Sequence, residues 1–303
     1  MYDVVIVGAG PAGLTAAIYA RRADKSVLVL EAKTYGGQII NTPDIENYPV
    51  AAHISGFEFA TKIYEQAKAL GAEIVFDKAV EIRSEGDVKT VVTTKDSYEA
   101  KTVILATGSE NRKLGLENED ALIGRGISYC ATCDGAFYRN KTVAVVGGGN
   151  TALEDALYLA DLAQTVYLIH RRDEFRGEEG TVARLKQREN VKFILNSNVT
   201  KLNADKKLQS IEVTNRDSTV TTLDVNGLFV AVGRIPENQN FASLIHLDDA
   251  GYAVAGENCR TDVPGVFVAG DNRVKDVRQL VTATADGAVA ATEAVKFIAA
   301  QNR

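Results

Sequence analysis

The stretch Tyr2–Lys33, YDVVIVGAGPAGLTAAIYARRADKSVLVLEAK, decides the fold of this chain. A short apolar run, VVIV, leads into a glycine turn. An amphipathic segment of helical spacing follows, and a second apolar run, VLVLE, closes the stretch. Strand, turn, helix and strand make one βαβ unit, the repeating element of a parallel sheet covered by helices. The pattern returns at Lys141–Arg172, KTVAVVGGGNTALEDALYLADLAQTVYLIHRR, in a constant register: Gly8 with Gly147, Gly10 with Gly149, Gly13 with Ala152. Two such units predict an α/β chain with two Rossmann-like, three-layer nucleotide-binding domains.

The chemistry of the turn explains its composition. The first glycine permits the tight bend, the second lets backbone approach a pyrophosphate, and the third position must be small for helix and strand to pack. Ala152 meets that last need. The helix then begins, at Pro11-Ala12 in the first unit and Asn150 in the second. Its N-terminus offers free N–H groups and the positive end of a dipole to phosphate.

The two units differ where a dinucleotide is selected. An acid about 20 residues past the glycines hydrogen-bonds the adenosine ribose. In the first unit this residue is Glu31, followed by Ala32, which predicts a free 2′-hydroxyl, as in FAD or NAD. The same count from Ala152 reaches His170, followed by Arg171, Arg172 and, further on, Arg176. A carboxylate would repel a 2′-phosphate, whereas arginines fork onto one, so the second unit predicts NADPH. The competing reading of these arginines is a solvated surface. Downstream, GVFVAGD reads as a buried strand delivering Gly270 and Asp271 at its C-terminal end, where open α/β sheets contact ligands. A helix cap is the simpler reading of Asp271.

Composition narrows the field. A length of 303 residues predicts about two domains. The net charge of −6 argues against a nucleic-acid surface. The apolar first twenty residues lack a basic start and are broken by Asp3, Pro11 and glycines, so they do not read as a signal peptide. No apolar run is long enough for a membrane span. Three cysteines and no signal predict a reducing, cytoplasmic setting, where CxxC serves catalysis or metal binding more than architecture.

The CxxC is Cys130–Cys133 in SYCATCDGAF, just before the second glycine turn. Zinc needs about four ligands, and only Cys259 and the histidines 53, 170 and 246 could add to the pair without ligand spacing, so no metal is expected. Two inert buried thiols are the other alternative. If the first turn holds FAD and the second NADPH, a dithiol–disulfide pair is the natural third member of an electron relay. Asp134 directly follows as a candidate proton donor to a leaving thiolate, with an Asx-turn before Gly135 as its structural alternative.

These residues carry a resemblance along nearly the whole chain. GAGPAG, GGQI at 36–39, ENYP at 46–49, ATG at 106–108, CATCDG, GGGNTA, HRRDEFR, VGRIP at 232–236, VFVAGD and RQLVTATADG together resemble the low-molecular-weight, bacterial-type thioredoxin reductases, class-II pyridine nucleotide-disulfide oxidoreductases. The resemblance implies a homodimer with an FAD domain formed by 1–111 and 241–303 and an NADPH domain, 112–240, inserted between them. It implies that Gly8, Gly10, Gly13 and Glu31 hold the FAD adenosine diphosphate. Gly36, Gly37, Gln38 and Asn47 would lie along the flavin and its ribityl chain. Asp271 would bond the ribityl or pyrophosphate region, and Arg278, Gln279 and Leu280 would border the isoalloxazine ring. NADPH would fall to Gly147, Gly149, Asn150, Ala152, Arg171, Arg172 and Arg176.

The implied activity passes electrons from NADPH through FAD and the Cys130–Cys133 pair to thioredoxin or a thioredoxin-like protein. Relatives driven by ferredoxin, or oxidases acting on a dithiol, are the alternatives. The chain keeps GGGNTA and HRRDEFR, which ferredoxin-driven relatives have lost. Two departures stand out. Glu178-Glu179 follow the arginines and would weaken phosphate binding if they faced inward. Val50 stands where many relatives have glycine after NYP.

Overall fold

A computed structural model describes residues 1–42, 44–51 and 53–301. The chain forms two compact units, residues 1–110 with 235–303, and 111–234.

The first unit begins with β1 (Tyr2–Val7), α1 (Pro11–Arg22) and β2 (Val27–Glu31), then α2 (Gly56–Ala69), β3 (Glu73–Phe76), β4 (Ala79–Glu85), β5 (Val88–Thr93) and β6 (Ser97–Leu105). The strands lie in the order β3-β2-β1-β6-β5-β4. Pairing is parallel from β3 to β6 and antiparallel across the β4–β5–β6 meander. Alternation along the central strands sorts the core onto two faces. Val4, Ile6, Val27 and Val29 pack on the helical side; Val5, Val7, Leu28 and Leu30 face the other. Both faces being covered is why these strands read as unbroken apolar runs.

The chain crosses between units near β7 (Ser109–Asn111). The second unit then runs β8 (Ile127–Ser128), α3 (Ala131–Asp134), β9 (Thr142–Gly147), α4 (Asn150–Ala160), β10 (Thr165–Ile169), α5 (Glu179–Lys186) and β11 (Val191–Ile194). It continues through β12 (Ser197–Ala204), β13 (Leu208–Asn215), β14 (Val220–Asp224), β15 (Gly227–Ala231) and β16 (Arg234–Pro236), which reaches the second crossing. Its sheet, β11-β10-β9-β15-β8, is parallel throughout. Helices cover one face around Val143, Val145 and Leu153; the antiparallel β12-β13-β14 layer covers the other around Ala144, Val146, Leu202 and Ile211. This is the three-layer α/β arrangement expected from the repeat.

Back in the first unit, β17 (Val266–Val268) adds parallel to β6, and α6 (Leu280–Gln301) packs on α1. The helices approach closely because a Cβ on Gly287 would sit 2.1 Å from Ala12 O. The resemblance implies a second boundary at 240/241, whereas residues 235–240 pack with the first unit. The reason is Asn238, fully buried there, whose Nδ2 donates to Gly251 O (2.9 Å) and Asn272 O (2.7 Å).

Candidate functional site

The first glycine turn follows β1 directly. Gly8 has φ +108°, and a Cβ there would meet Ala106 O at 2.3 Å, so only glycine fits. Gly13 backs onto the turn, where a Cβ would lie 1.9 Å from Gly8 O. Gly10 caps α1, with Pro11 and Ala12 in its first turn. Pro11 costs nothing at that position, because its missing N–H is one the helix leaves unpaired. Glu31 ends β2 and folds back: its carboxylate accepts from Ala9 N and Lys33 N, both at 2.8 Å. It thus ties the turn to the strand end, and Ala32 beside it is exposed.

Gly36 N donates to Ala9 O at 2.7 Å, which lays Gly36, Gly37 and Gln38 alongside the turn. A Cβ on Gly37 would have only Gly10 Cα (3.4 Å) and Pro11 Cδ (3.9 Å) within reach, while Gly37 and Gln38 are exposed. Open backbone at a helix N-terminus with a carboxylate at the end of the next strand is the donor and acceptor set that a flavin dinucleotide's diphosphate and ribose require. The residues present fit that group.

A buried ion cluster holds the other side of this region. Asp286, on α6, accepts from Gly270 N (2.9 Å), from Arg273 Nε and Nη2 (2.8 Å each) and from Lys275 Nζ (2.8 Å). Burial opposes its ionisation, but these bonds prevail and its pKa is lowered. The cluster fixes the segment carrying Gly270, Asp271 and Arg278. Arg278 lies 4.2 Å over the Tyr252 ring and donates to Arg273 O. Gln279 accepts from Asn47 Nδ2 at 3.2 Å, joining two distant predicted residues just before Leu280 opens α6. The sequence alone assigns Asp286 no role, although it is the single charge in the apolar run LVTATADGAVAAT. Cys259 lies buried nearby; burial pushes its thiol up to about 12, so it is inert.

In the second unit Gly147 repeats the geometry of Gly8, with φ +155° and a Cβ position 2.3 Å from Ala231 O and 2.6 Å from Ala152 Cβ. That last contact explains the small residue at 152. Around Gly149 a Cβ would meet nothing within 4 Å, leaving the turn open as a diphosphate requires. Asn150 starts α4, and its Oδ1 accepts from Glu178 N at 2.8 Å.

His170 is 4% exposed and lies beneath the turn, its ring stacked on Phe175 and its Nε2 3.1 Å from Glu174 O. A Cβ on Gly148 would strike the imidazole at 2.1 Å, so His170 supports the turn from below. Burial depresses its pKa, and Arg176, Arg171 and Arg172 push the same way. Arg171 and Arg172 are exposed beyond β10 and line one polar cleft. Arg176 N donates to Gly148 O at 2.7 Å, which fixes its backbone at the turn. Glu178 and Glu179 are exposed at the N-terminus of α5, where acids suit the dipole.

Cys130 and Cys133 form a disulfide across the first turn of α3 and are partly buried. Asp134 ends that turn. Its Oδ2 accepts from Ser128 Oγ at 2.6 Å, while its buried Oδ1 has no hydrogen-bond partner. Burial raises the Asp134 pKa against the opposing Ser128 bond. Ser128 is 3% exposed, and its Oγ also accepts from Cys130 N at 3.1 Å. This serine was not singled out in the sequence; a polar residue two before the first cysteine was the available signal. A carboxyl whose pKa burial raises, beside a disulfide, can supply a proton to a departing sulfur.

Among the described residues, one set of possible metal ligands comes together, Asp44, Glu46 and His53, on an exposed loop of the first unit. No helix among those residues is long and apolar enough to cross a membrane.

The model of the pyridine nucleotide-disulphide oxidoreductase family matches residues 2–287. A thioredoxin reductase of Listeria innocua serovar 6a is 43% identical over 300 residues, covering 98% of this chain and 94% of that protein. The crystal structure of thioredoxin reductase from Streptococcus pyogenes MGAS5005 superposes with a TM-score of 0.95 at 41% identity, covering 99% of each chain. A ferredoxin-flavin thioredoxin reductase from Clostridium acetobutylicum is similar at 32% identity and a TM-score of 0.54, covering 99% of this chain and 98% of that one.

Proposed function

The chain belongs to the pyridine nucleotide-disulphide oxidoreductase family, and on that premise we propose that it is an NADPH-dependent thioredoxin reductase using FAD. The observation that carries this reading is the Cys130–Cys133 disulfide with the protonation-prone Asp134 beside it, in the unit that also holds the open Gly147–Gly149 turn. The relatives' names and their identity over nearly the full chain support it.

In this reading Gly8, Gly10, Glu31, Gly36, Gly37 and Asp271 hold FAD, and Arg278 with Gln279 flanks its ring end. Gly147, Gly149, Asn150 and the arginines 171, 172 and 176 hold NADPH. Bound flavin supplies transfer of an electron pair from NADPH to the disulfide.

The residues of the chain do the rest. Reduction splits the Cys130–Cys133 bond into two thiols. One, as thiolate, attacks a sulfur of the partner's disulfide, forming a mixed disulfide and expelling the other partner sulfur. Asp134, held by Ser128, delivers the proton that this sulfur takes up. The second thiolate of the pair then attacks the mixed disulfide. The Cys130–Cys133 bond is restored and the partner leaves as a dithiol, two electrons richer. The partner is thioredoxin or a protein of the same kind. The working form is a homodimer in the cytoplasm, on the strength of the resemblance.

A ferredoxin-driven flavin enzyme is the second reading, and the open turn with exposed Arg171 and Arg172 favours NADPH over it. Anaerobic titration decides between them. Stoichiometric bleaching of the flavin absorbance by NADPH is expected; no bleaching by NADPH, with reduction by ferredoxin, would reverse the assignment.

A further inference from the structure

A polar cleft of the second unit extends past the arginines that the sequence singles out. It has a volume of about 420 Å³, and Arg171, Arg172, Asp173, Asn196, Asn198 and Arg216 are among the residues that line it. Arg216 comes from the turn after β13, far from the HRRDEFR motif in sequence. The backbone brings it there. Asn196 N donates to Arg172 O at 3.1 Å, and Arg216 N donates to Asn196 O at 2.8 Å. Asn215 Oδ1 accepts from the same Arg216 N–H at 2.8 Å, which fixes the turn. Asn196 itself adopts φ +52°, the left-handed conformation that asparagine tolerates. One residue therefore bridges the end of β10 to the β13 turn and sets Arg216 beside Arg172.

Among the described residues no carboxylate is paired with Arg171, Arg172 or Arg216, although Asp173 lies in the same cleft. Three unpaired guanidinium groups on one concave wall repel one another. They become favourable only when a multiply charged anion enters, and their planar forks match phosphate oxygens. The neutral amides of Asn196 and Asn198 add hydrogen-bonding capacity without opposing charge. Arg176 does not line this cleft; its backbone is fixed at Gly148 instead.

We propose that Arg216 is a specificity residue for a phosphomonoester dianion, completing with Arg171 and Arg172 a three-arginine clamp on the 2′-phosphate of NADPH. The inference rests on the reading that the Gly147 turn takes NADPH, and it adds a residue from the antiparallel layer that no motif of the βαβ unit contains.

Calorimetric titration of the full-length protein with adenosine 2′,5′-bisphosphate and with adenosine 5′-monophosphate tests it. Arg216→Ala is expected to weaken the bisphosphate about tenfold, the scale of one lost charge-assisted hydrogen bond, and to leave the monophosphate within about twofold. Arg216→Lys, which keeps charge and loses the fork, is expected to fall between. Arg216 is exposed, so the variants retain the parent's melting temperature. If Arg171→Ala with Arg172→Ala weakens the bisphosphate and Arg216→Ala does not, the clamp is wrong and the NADPH reading stands. If neither variant distinguishes the two nucleotides, both fail.

Discussion

Ser128 Oγ donates a 2.6 Å hydrogen bond to Asp134 Oδ2 and accepts from Cys130 N at 3.1 Å. One hydroxyl thus couples the backbone of the disulfide to the carboxyl beside it. The bond favours the carboxylate, whereas burial, the stronger influence, favours the neutral acid and holds the pKa above the ordinary 3.8. Ser128→Ala removes the opposing influence and a positional constraint together. Partner reduction is expected to fall about tenfold, consistent with one lost hydrogen bond to an ionisable group. The neutral acid is the donor, so activity falls as pH rises through its pKa. Raising that pKa further moves the falling limb to higher pH. A rate loss with an unmoved limb would reduce Ser128 to packing, and Ser128→Thr should recover both rate and limb.

The Asp286 cluster gives a stability prediction. Asp286→Asn leaves Arg273 and Lys275 as buried cations without their carboxylate. Breaking a buried pair from one side typically costs about 3–5 kcal/mol. Urea denaturation should show a loss on that scale, and a loss below about 1 kcal/mol would contradict it. The carboxyl pKa is lowered in the folded protein. Its contribution is therefore present above the unfolded carboxylate range and disappears as pH falls through the depressed value. The acid limb of the parent's stability curve should shrink in the variant.

Asp155, on α4, titrates in the opposite sense. Burial raises its pKa to about 7, Glu154 adds to the rise, and Arg234 opposes it. A raised acid pKa means that the folded state holds its proton longer than the unfolded one. Stability then decreases between roughly pH 4 and 7, by at most about 1.4 kcal/mol per pH unit. Asp155→Asn should gain on the parent across this window and stay level above it. Denaturation midpoints that track each other at every pH would refute the shift.

Val50 has φ +72° and is fully exposed. A β-branched residue there carries backbone strain with no burial to offset it. Val50→Gly is expected to raise stability by about 1 kcal/mol, the strain relieved less the added freedom of the unfolded glycine. A lower denaturation midpoint would show that Val50 makes a contribution other than strain.

Much of this arrangement was legible in the chain because it is local. The unbroken apolar runs VVIV and VAVV pair with the second strand of their own βαβ units, and the small Ala152 is dictated by its contact with the Gly147 position. Gly8 and Gly147 are legible from the turn pattern, although the atoms that exclude a side chain there, Ala106 O and Ala231 O, come from outside those units. What escaped was set by contacts that no motif of the sequence marks. Ser128 meets Asp134 because a short strand and a single helical turn abut. Asp286 reaches Gly270 across the α6–β17 packing, and Arg216 meets Arg172 through Asn196. The second crossing shifted for the same reason, since Asn238 is held by Gly251 and Asn272. His170 occupies the strand-end position that suggested ribose contact, but its ring turns under Gly148.

The central claim is that Cys130 and Cys133 are the exit of an electron path from NADPH to a redoxin. Its most direct measurement is NADPH oxidation by the purified protein with and without oxidised thioredoxin, for the parent and for Cys133→Ser. The account predicts thioredoxin-dependent oxidation by the parent, and none by Cys133→Ser although NADPH still bleaches its flavin. Thioredoxin reduction that survives in Cys133→Ser would contradict it.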